Sequence, residues 1–269
     1  MHMLISAGTG HGKSYVAQAI IEENIPEYDT AVVLDDKGEF TGLVKAGLAK
    51  HYVAGERELE AFGPEEWATL LRDNPQLVVE RRSSLSDEDW EQLCDDVVGG
   101  TRLVEGTTFY GIDEAHNVYP EKGSGSHPEH LKWLLRTSRG EGGSMVAITQ
   151  RLAGASSAMA GACMTTLLGG YNEQNDVDRL GSITDYNEQV HKVGGVTLDS
   201  LPEDLRAEDA PNSGMVSLRK FRDDQDRLVG SEWVYADDEG TLERRDSRNL
   251  EPEAEHYGNQ GEPIRMPEF

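Results

Sequence analysis

Ala7-Gly8-Thr9-Gly10-His11-Gly12-Lys13-Ser14 is the stretch that decides the fold. Small residues stand where backbone N–H groups must turn inward around a β-phosphate. Lys13 follows, where an ammonium can reach the β- and γ-oxygens, and Ser14 places a hydroxyl where Mg²⁺ would be held. The apolar run Met3 to Ala7 reads as a strand. The stretch from about Ser14 to Asn24, stopping before Pro26, reads as a helix whose positive end faces the phosphates. Strand, glycine-rich turn and helix N-terminus in that order form the context such a loop needs. Gly8, Thr9, Gly10, His11, Gly12, Lys13 and Ser14 are therefore the expected nucleotide-binding residues. Ala7 stands where the commonest form of the loop has glycine.

Moving outward, Phe109-Tyr110-Gly111-Ile112-Asp113-Glu114 is a hydrophobic strand ending in two acids. Asp113 is expected to join Ser14 in holding Mg²⁺, and Glu114 to polarise an attacking water. A water-activating glutamate favours hydrolysis over a kinase or a simple nucleotide switch. Ser144 to Thr149 reads as a further strand, and Gln150 at its end is expected to sense the γ-phosphate through its amide. Between the two lies Leu134-Leu135-Arg136-Thr137-Ser138-Arg139-Gly140. Arg139, at a helix end before a glycine turn, is expected to reach the active site of a neighbouring subunit, with Arg136 and Arg151 as other candidates. Favourable capping of the helix dipole is the competing role for such an arginine. Asp113-Glu114-Ala115-His116 spells the box of one helicase class, but no second motif set accompanies it, so His116 reads as a polar residue packing at the site.

Short apolar runs alternate with helical patterns, which indicates a doubly wound, mostly parallel α/β sheet. Strands are expected at Thr30 to Leu34, Tyr52-Val53 and Gln76 to Val79. Gly63-Pro64-Glu65-Glu66 and Ser86-Asp87-Glu88-Asp89 open helices. A Gly/Ser-rich loop covers Gly123 to Ser126. Residues 1–210 read as the nucleotide-binding core. Residues 211–243 read as a small C-terminal β-hairpin region, with strands at Met215 to Phe221 and Leu228 to Tyr235, and 244–269 as a polar, acidic, solvated tail.

The 269 residues carry 25 Lys+Arg against 50 Asp+Glu, a formal net charge of −25, so whole-chain charge excludes a basic nucleic-acid-binding module. The acids are spread along the whole length, the pattern of a protein adapted to a cytoplasm rich in potassium chloride, with an ordinary acidic mesophilic protein as the alternative. Cys94 and Cys163 cannot form a disulfide framework or a zinc site and read as buried thiols. The N-terminal residues lack a signal peptide pattern. Leu152 to Asn172 has no charged residue but consists mostly of Gly, Ala, Ser and Thr, so it reads as a close-packed interior segment. A soluble protein is the expectation.

The phosphate loop, Asp113-Glu114, Arg139 and Thr149-Gln150, together with the strand and polar helix of Leu167 to Leu180, resemble the FtsK–HerA superfamily of P-loop pumping ATPases. The resemblance spans roughly residues 1–185 and implies a RecA-like core of the ASCE type that binds ATP and Mg²⁺. It further implies a ring homo-oligomer, most often a hexamer, that moves double-stranded DNA. The short, acidic chain resembles the genome-packaging ATPases of tailless viruses, including those of haloarchaea. That would place it in the host cytoplasm or with the virion at high salt, docked on a capsid vertex or membrane protein. Arg219, Lys220, Arg222 and the pair Arg81-Arg82 are the candidate DNA contacts. An ATP-dependent assembly or switch protein acting on protein or membrane partners is the alternative.

Overall fold

Strand alternation explains how the two faces of the sheet are filled. Leu4, Val32, Leu34, Leu77, Val79, Tyr110 and Ile112 point to one side, and Met3, Ile5, Ala31, Val33, Val78 and Phe109 to the other. Both sets are buried, as expected of a parallel sheet covered on both faces. The computed structural model describes residues 1–121 and 127–257. The expected loop Gly123 to Ser126 and the last twelve residues of the expected tail (258–269) lie outside the described residues.

The strands are β1 (His2–Ser6), β2 (Thr30–Asp35), β3 (Lys50–Ala54), β4 (Gln76–Arg81), β5 (Thr108–Ile112), β6 (Gly143–Thr149), β7 (Thr165–Leu168), β8 (Lys220–Arg222), β9 (Leu228–Ala236) and β10 (Leu242–Asp246). They form one sheet in the order β10-β9-β7-β1-β6-β5-β2-β4-β3, with β8 paired to β9 off that path. The strands from β7 through β3 in that order are parallel, and β9 and β10 are antiparallel additions.

The helices are α1 (Lys13–Asn24), α2 (Thr41–Lys45), α3 (Glu56–Ala61), α4 (Pro64–Asp73), α5 (Asp87–Thr101), α6 (Ala115–Val118), α7 (Glu129–Arg136), α8 (Ser157–Ala162) and α9 (Gln174–Leu180). One face carries α4, α5 and α7, whose Trp67, Leu71, Trp90, Val97, Leu131 and Leu134 are fully buried. The other carries α1 and α2 through Val16, Ile21 and Leu43. The Ser86 cap forms as its pattern predicts: its hydroxyl accepts from Asp89 N at 3.1 Å while the Asp89 carboxylate accepts from Ser86 N at 3.1 Å. Cys94 and Cys163 are free and buried.

Two expectations about the C-terminal part change. The hairpin exists as the β8–β9 pair, but its first strand is only Lys220–Arg222 where Met215 to Phe221 was expected, and β9 also pairs with β7, so this region continues the main sheet instead of standing apart from it. The first part of the expected solvated tail is docked. Residues up to Asp246 form β10, and the following segment lies along α1, where Gln18 Nε2 donates to Ala254 O at 2.9 Å and the Glu22 carboxylate accepts from Glu253 N at 2.7 Å. Ala254 is 2% exposed. The segment is polar, but its backbone groups find side-chain partners on the helix, which offsets the cost of ordering it. The charge-free stretch Leu152 to Asn172 is only partly interior, since Ser157, Ala158 and Met164 of its helix and turn face solvent. Among the described residues no helix is long and apolar enough to cross a membrane.

Candidate functional site

Parallel strands deliver the site to one edge of the sheet. Ser6 pairs with Thr149, and Ile112 with Ala147, so β1, β6 and β5 end nearly level. The phosphate loop, Gln150 and Asp113-Glu114 therefore leave from neighbouring strand ends, the edge where open α/β sheets hold ligands. Within the loop Gly10 and Gly12 take φ of 69° and 86°, left-handed conformations that a Cβ disfavours, so glycine at both places lets the backbone curl.

Lys13 opens α1 and is buried, with Nζ 3.7 Å from Asp113 Oδ1 and 3.9 Å from Glu114 Oε1. Neither Lys13 Nζ nor either Asp113 carboxylate oxygen has a hydrogen-bond partner among the described residues, although all three are buried. Buried polar atoms left unmatched are costly, and here they converge on the groups that a Mg²⁺·phosphate would satisfy. The Ser14 hydroxyl and the Asp113 carboxylate offer hard oxygen donors that fit Mg²⁺, which characteristically takes one or two protein ligands and completes its shell with phosphate and water. Burial pushes the Asp113 carboxyl up to about 8, against the opposing pull of Lys13. A cation beside it would reverse that shift.

Glu114 has φ 41° and ψ 51°, a left-handed backbone that is uncommon outside glycine and marks stored strain. Its carboxylate hydrogen-bonds Lys37, lies 3.3 Å from His116 Nδ1 and accepts from Gln150 N at 3.4 Å. Burial works to raise this carboxyl, but Lys13, Lys37 and His116 together hold it below the usual glutamate range. Glu114 is thus favoured in its ionised form, held by Lys37. His116, expected to pack at the site, sits 2.9 Å from Thr149 Oγ1, and burial lowers its affinity for a proton.

Gln150 lies beside the phosphate loop: Thr9 Oγ1 donates to Gln150 Oε1 at 3.2 Å, tying the third strand end to the loop. Arg139 is not brought to this site. It belongs to the turn Ser138–Glu141 before β6, at the opposite edge of the sheet, where its exposed side chain lies against Met164. With seven residues in β6 at about 3.3 Å each, Arg139 stands on the order of 20 Å from its own subunit's site. Arg136 ends α7 on the same edge, whereas Arg151 follows Gln150 directly, with its backbone N donating to Thr149 Oγ1 at 3.1 Å.

Of the candidate DNA contacts, Arg81 is paired with Asp36 at 2.6 Å and Asp87 at 2.9 Å, and Arg219 with Asp209 and Glu232 at 2.7 Å each. Arg82 is exposed. Lys220 and Arg222 line a cleft with Thr9, Gly10 and Asn172, beside the phosphate loop.

On its other side the loop is buttressed. His11, fully buried, places Nε2 3.0 Å from Gly170 N and 2.9 Å from Glu232 O, so it accepts from the first in one tautomer or donates to the second in the other. Ser231 Oγ of β9 donates to His11 O at 2.6 Å. Sequence reading missed this buttress, and it missed two side chains from the turn between β2 and α2: Lys37, on Glu114, and Glu39, which accepts from the Ser14 hydroxyl. The run Asp35-Asp36-Lys37-Gly38-Glu39 at the end of a strand near Asp113 was the available signal, since it leaves the same sheet edge.

The family model described as the central domain of helicase HerA matches residues 1–108. No curated protein matches the sequence. Among solved structures, the genome packaging NTPase B204 from Sulfolobus turreted icosahedral virus 2, in complex with ATP-gammaS, superposes with a TM-score of 0.54 at 13% identity, covering 90% of this chain and 95% of that one. VirB4 of Thermoanaerobacter pseudethanolicus gives a TM-score of 0.52 at 11% identity over 71% of this chain and 82% of that one. At such identities the likeness is one of fold.

Proposed function

We propose that this chain, a P-loop ATPase of the FtsK–HerA superfamily, is a ring-forming motor that hydrolyses ATP to move double-stranded DNA into a preformed viral capsid. The observation that carries the hydrolytic part is the convergence of Lys13, Asp113, Glu114 and Gln150 at three adjacent strand ends, with buried polar atoms left for a ligand. Placement of β6 between β1 and β5, with a glutamate beside the aspartate, supports the ASCE arrangement. The fold shared with a packaging NTPase over nine-tenths of the chain supports packaging as the task.

In this reading the N–H groups of Thr9 to Gly12 and the Lys13 ammonium bind the phosphates, the Gly8 N–H being already bonded to Gly170 O, while Ser14 and Asp113 would hold Mg²⁺. The metal, when bound, neutralises charge on the β- and γ-oxygens. Glu114 accepts the proton of the attacking water, and its ionised state suits that task. Gln150 reads the γ-phosphate through its amide. Arg139, too far from its own site, reaches that of a neighbour in the ring. The scattered acidity supports a haloarchaeal virus, with the protein working in the host cytoplasm or on the virion.

One observation favours the second reading, an assembly or switch ATPase with a protein or membrane partner. Arg81 and Arg219 are both spent on intrachain ion pairs in a chain of net charge −25. The two readings separate on DNA stimulation of the ATPase rate. Stimulation by double-stranded DNA supports the translocase, and a rate indifferent to DNA at every salt concentration tested contradicts it.

A further inference from the structure

The turn between β2 and α2 carries side chains into the phosphate site on a rigid frame. Asp35, fully buried, accepts from Glu39 N and Phe40 N at 3.0 Å each, and Phe40 is locked in the core beside α2. From this frame Lys37 hydrogen-bonds Glu114 Oε1. The same oxygen lies 3.9 Å from Lys13 Nζ, so two ammonium groups share one carboxylate oxygen. A phosphate group within bonding reach of Lys13 is therefore also close to Lys37. The Lys37 side chain is 38% exposed, and its four-carbon stem leaves room to re-aim.

A glutamate held by an ammonium is poorly placed to take a proton from water. A γ-phosphate carries more negative charge than one carboxylate and competes for the same ammonium in a pocket that screens little. ADP does not bring that competitor.

We propose that Lys37 is a second γ-phosphate-binding lysine: it holds Glu114 while no γ-phosphate is present, and moves to the γ-phosphate when ATP binds, leaving Glu114 to the attacking water. The proposal rests on the ATPase reading above, and it makes the turn after β2 the element that tells ATP from ADP.

Calorimetric titration of the full chain with Mg·ADP and with Mg·AMPPCP, a non-hydrolysable ATP analogue, tests it. Lys37→Met should weaken the analogue about tenfold or more, the scale of one lost charge-assisted hydrogen bond, while ADP affinity stays within twofold. Retained ADP binding also shows that the variant is folded, and Lys37→Arg should recover part of the loss. Equal weakening of both nucleotides, or of neither, overturns the proposal while leaving the ATPase reading in place. An unsubstituted chain that binds neither nucleotide overturns both.

Discussion

On its β6–β5 flank the phosphate loop faces Lys13, Asp113 and Glu114, whose buried polar atoms are in part unmatched. On its β7–β9 flank it is tied by completed bonds. Gly8 N donates to Gly170 O at 3.0 Å, Tyr171 OH to Ser6 Oγ at 2.6 Å, Ser231 Oγ to His11 O at 2.6 Å and Trp233 Nε1 to Ser231 Oγ at 2.9 Å. Trp233 also packs edge-on against the His11 ring at 5.0 Å. One flank leaves charge for a ligand to satisfy. The other spends most of its polar groups on holding the loop in shape, with the buried His11 Nδ1 left without a hydrogen-bond partner among the described residues. Chemistry and stability are thereby divided between the two sides of an eight-residue loop, and substitutions on each side should separate them.

The largest effect belongs to the reactive flank. Lys13→Ala should abolish nucleotide binding and hydrolysis, while lowering the thermal midpoint less than loss of the buried Trp233 does, because the ammonium makes no hydrogen bond among the described residues and meets Asp113 and Glu114 only as ion pairs at 3.7 and 3.9 Å. Nucleotide titration and a thermal melt on the same sample check both halves. Arg139→Ala should bind ATP normally and hydrolyse it about a thousandfold more slowly. Mixing the two inactive variants should restore part of the activity, since some interfaces then pair an intact loop with an intact Arg139. Mixed rings, verified by native mass spectrometry, that recover no phosphate release would reject the role in trans.

On the supporting flank, Trp233→Ala should lower the thermal midpoint by roughly 10 °C, the cost of emptying a buried aromatic site. Its kcat, measured well below the melt, should stay within about threefold. A variant that keeps its midpoint but loses its rate would erase the division drawn between the flanks. The smallest effect is diffuse. Raising potassium chloride from 0.1 to 2 M should raise the midpoint by several degrees, because the Debye length falls from about 10 Å to below 3 Å and 25 uncompensated negative charges repel less. A midpoint that falls over that range would contradict adaptation to high salt.

The same division explains what the sequence made legible. Gly10, Gly12, Lys13 and Ser14, and Asp113-Glu114 at a strand end, are constrained by short-range chemistry, so their pattern and spacing reveal the loop, the paired acids and a parallel sheet. Capping at Ser86 is equally local. The supporting flank depends on residues some 160 to 220 positions from His11 (Gly170 and Glu232), and no local pattern predicts that β9 pairs antiparallel with β7. Docking of Ala254 on Gln18 is hidden for the same reason, because a polar segment reads as solvated until its partners are known. The left-handed backbone of Glu114 is invisible too, since nothing in the residue type announces it. Arg139 was legible as an exposed helix-end arginine, but not as one standing at the far edge of the sheet.

Most direct for the central claim, that three strand ends assemble an ATP-hydrolysing site with Glu114 as the group that accepts a proton from water, is a comparison of Glu114→Gln with the unsubstituted chain. Steady-state phosphate release and Mg·ATP affinity would be measured side by side at high potassium chloride. The account predicts that affinity is kept while the rate falls by about 10²- to 10⁴-fold, the range for losing a general base. A Glu114→Gln chain that hydrolyses ATP at the unsubstituted rate would contradict it.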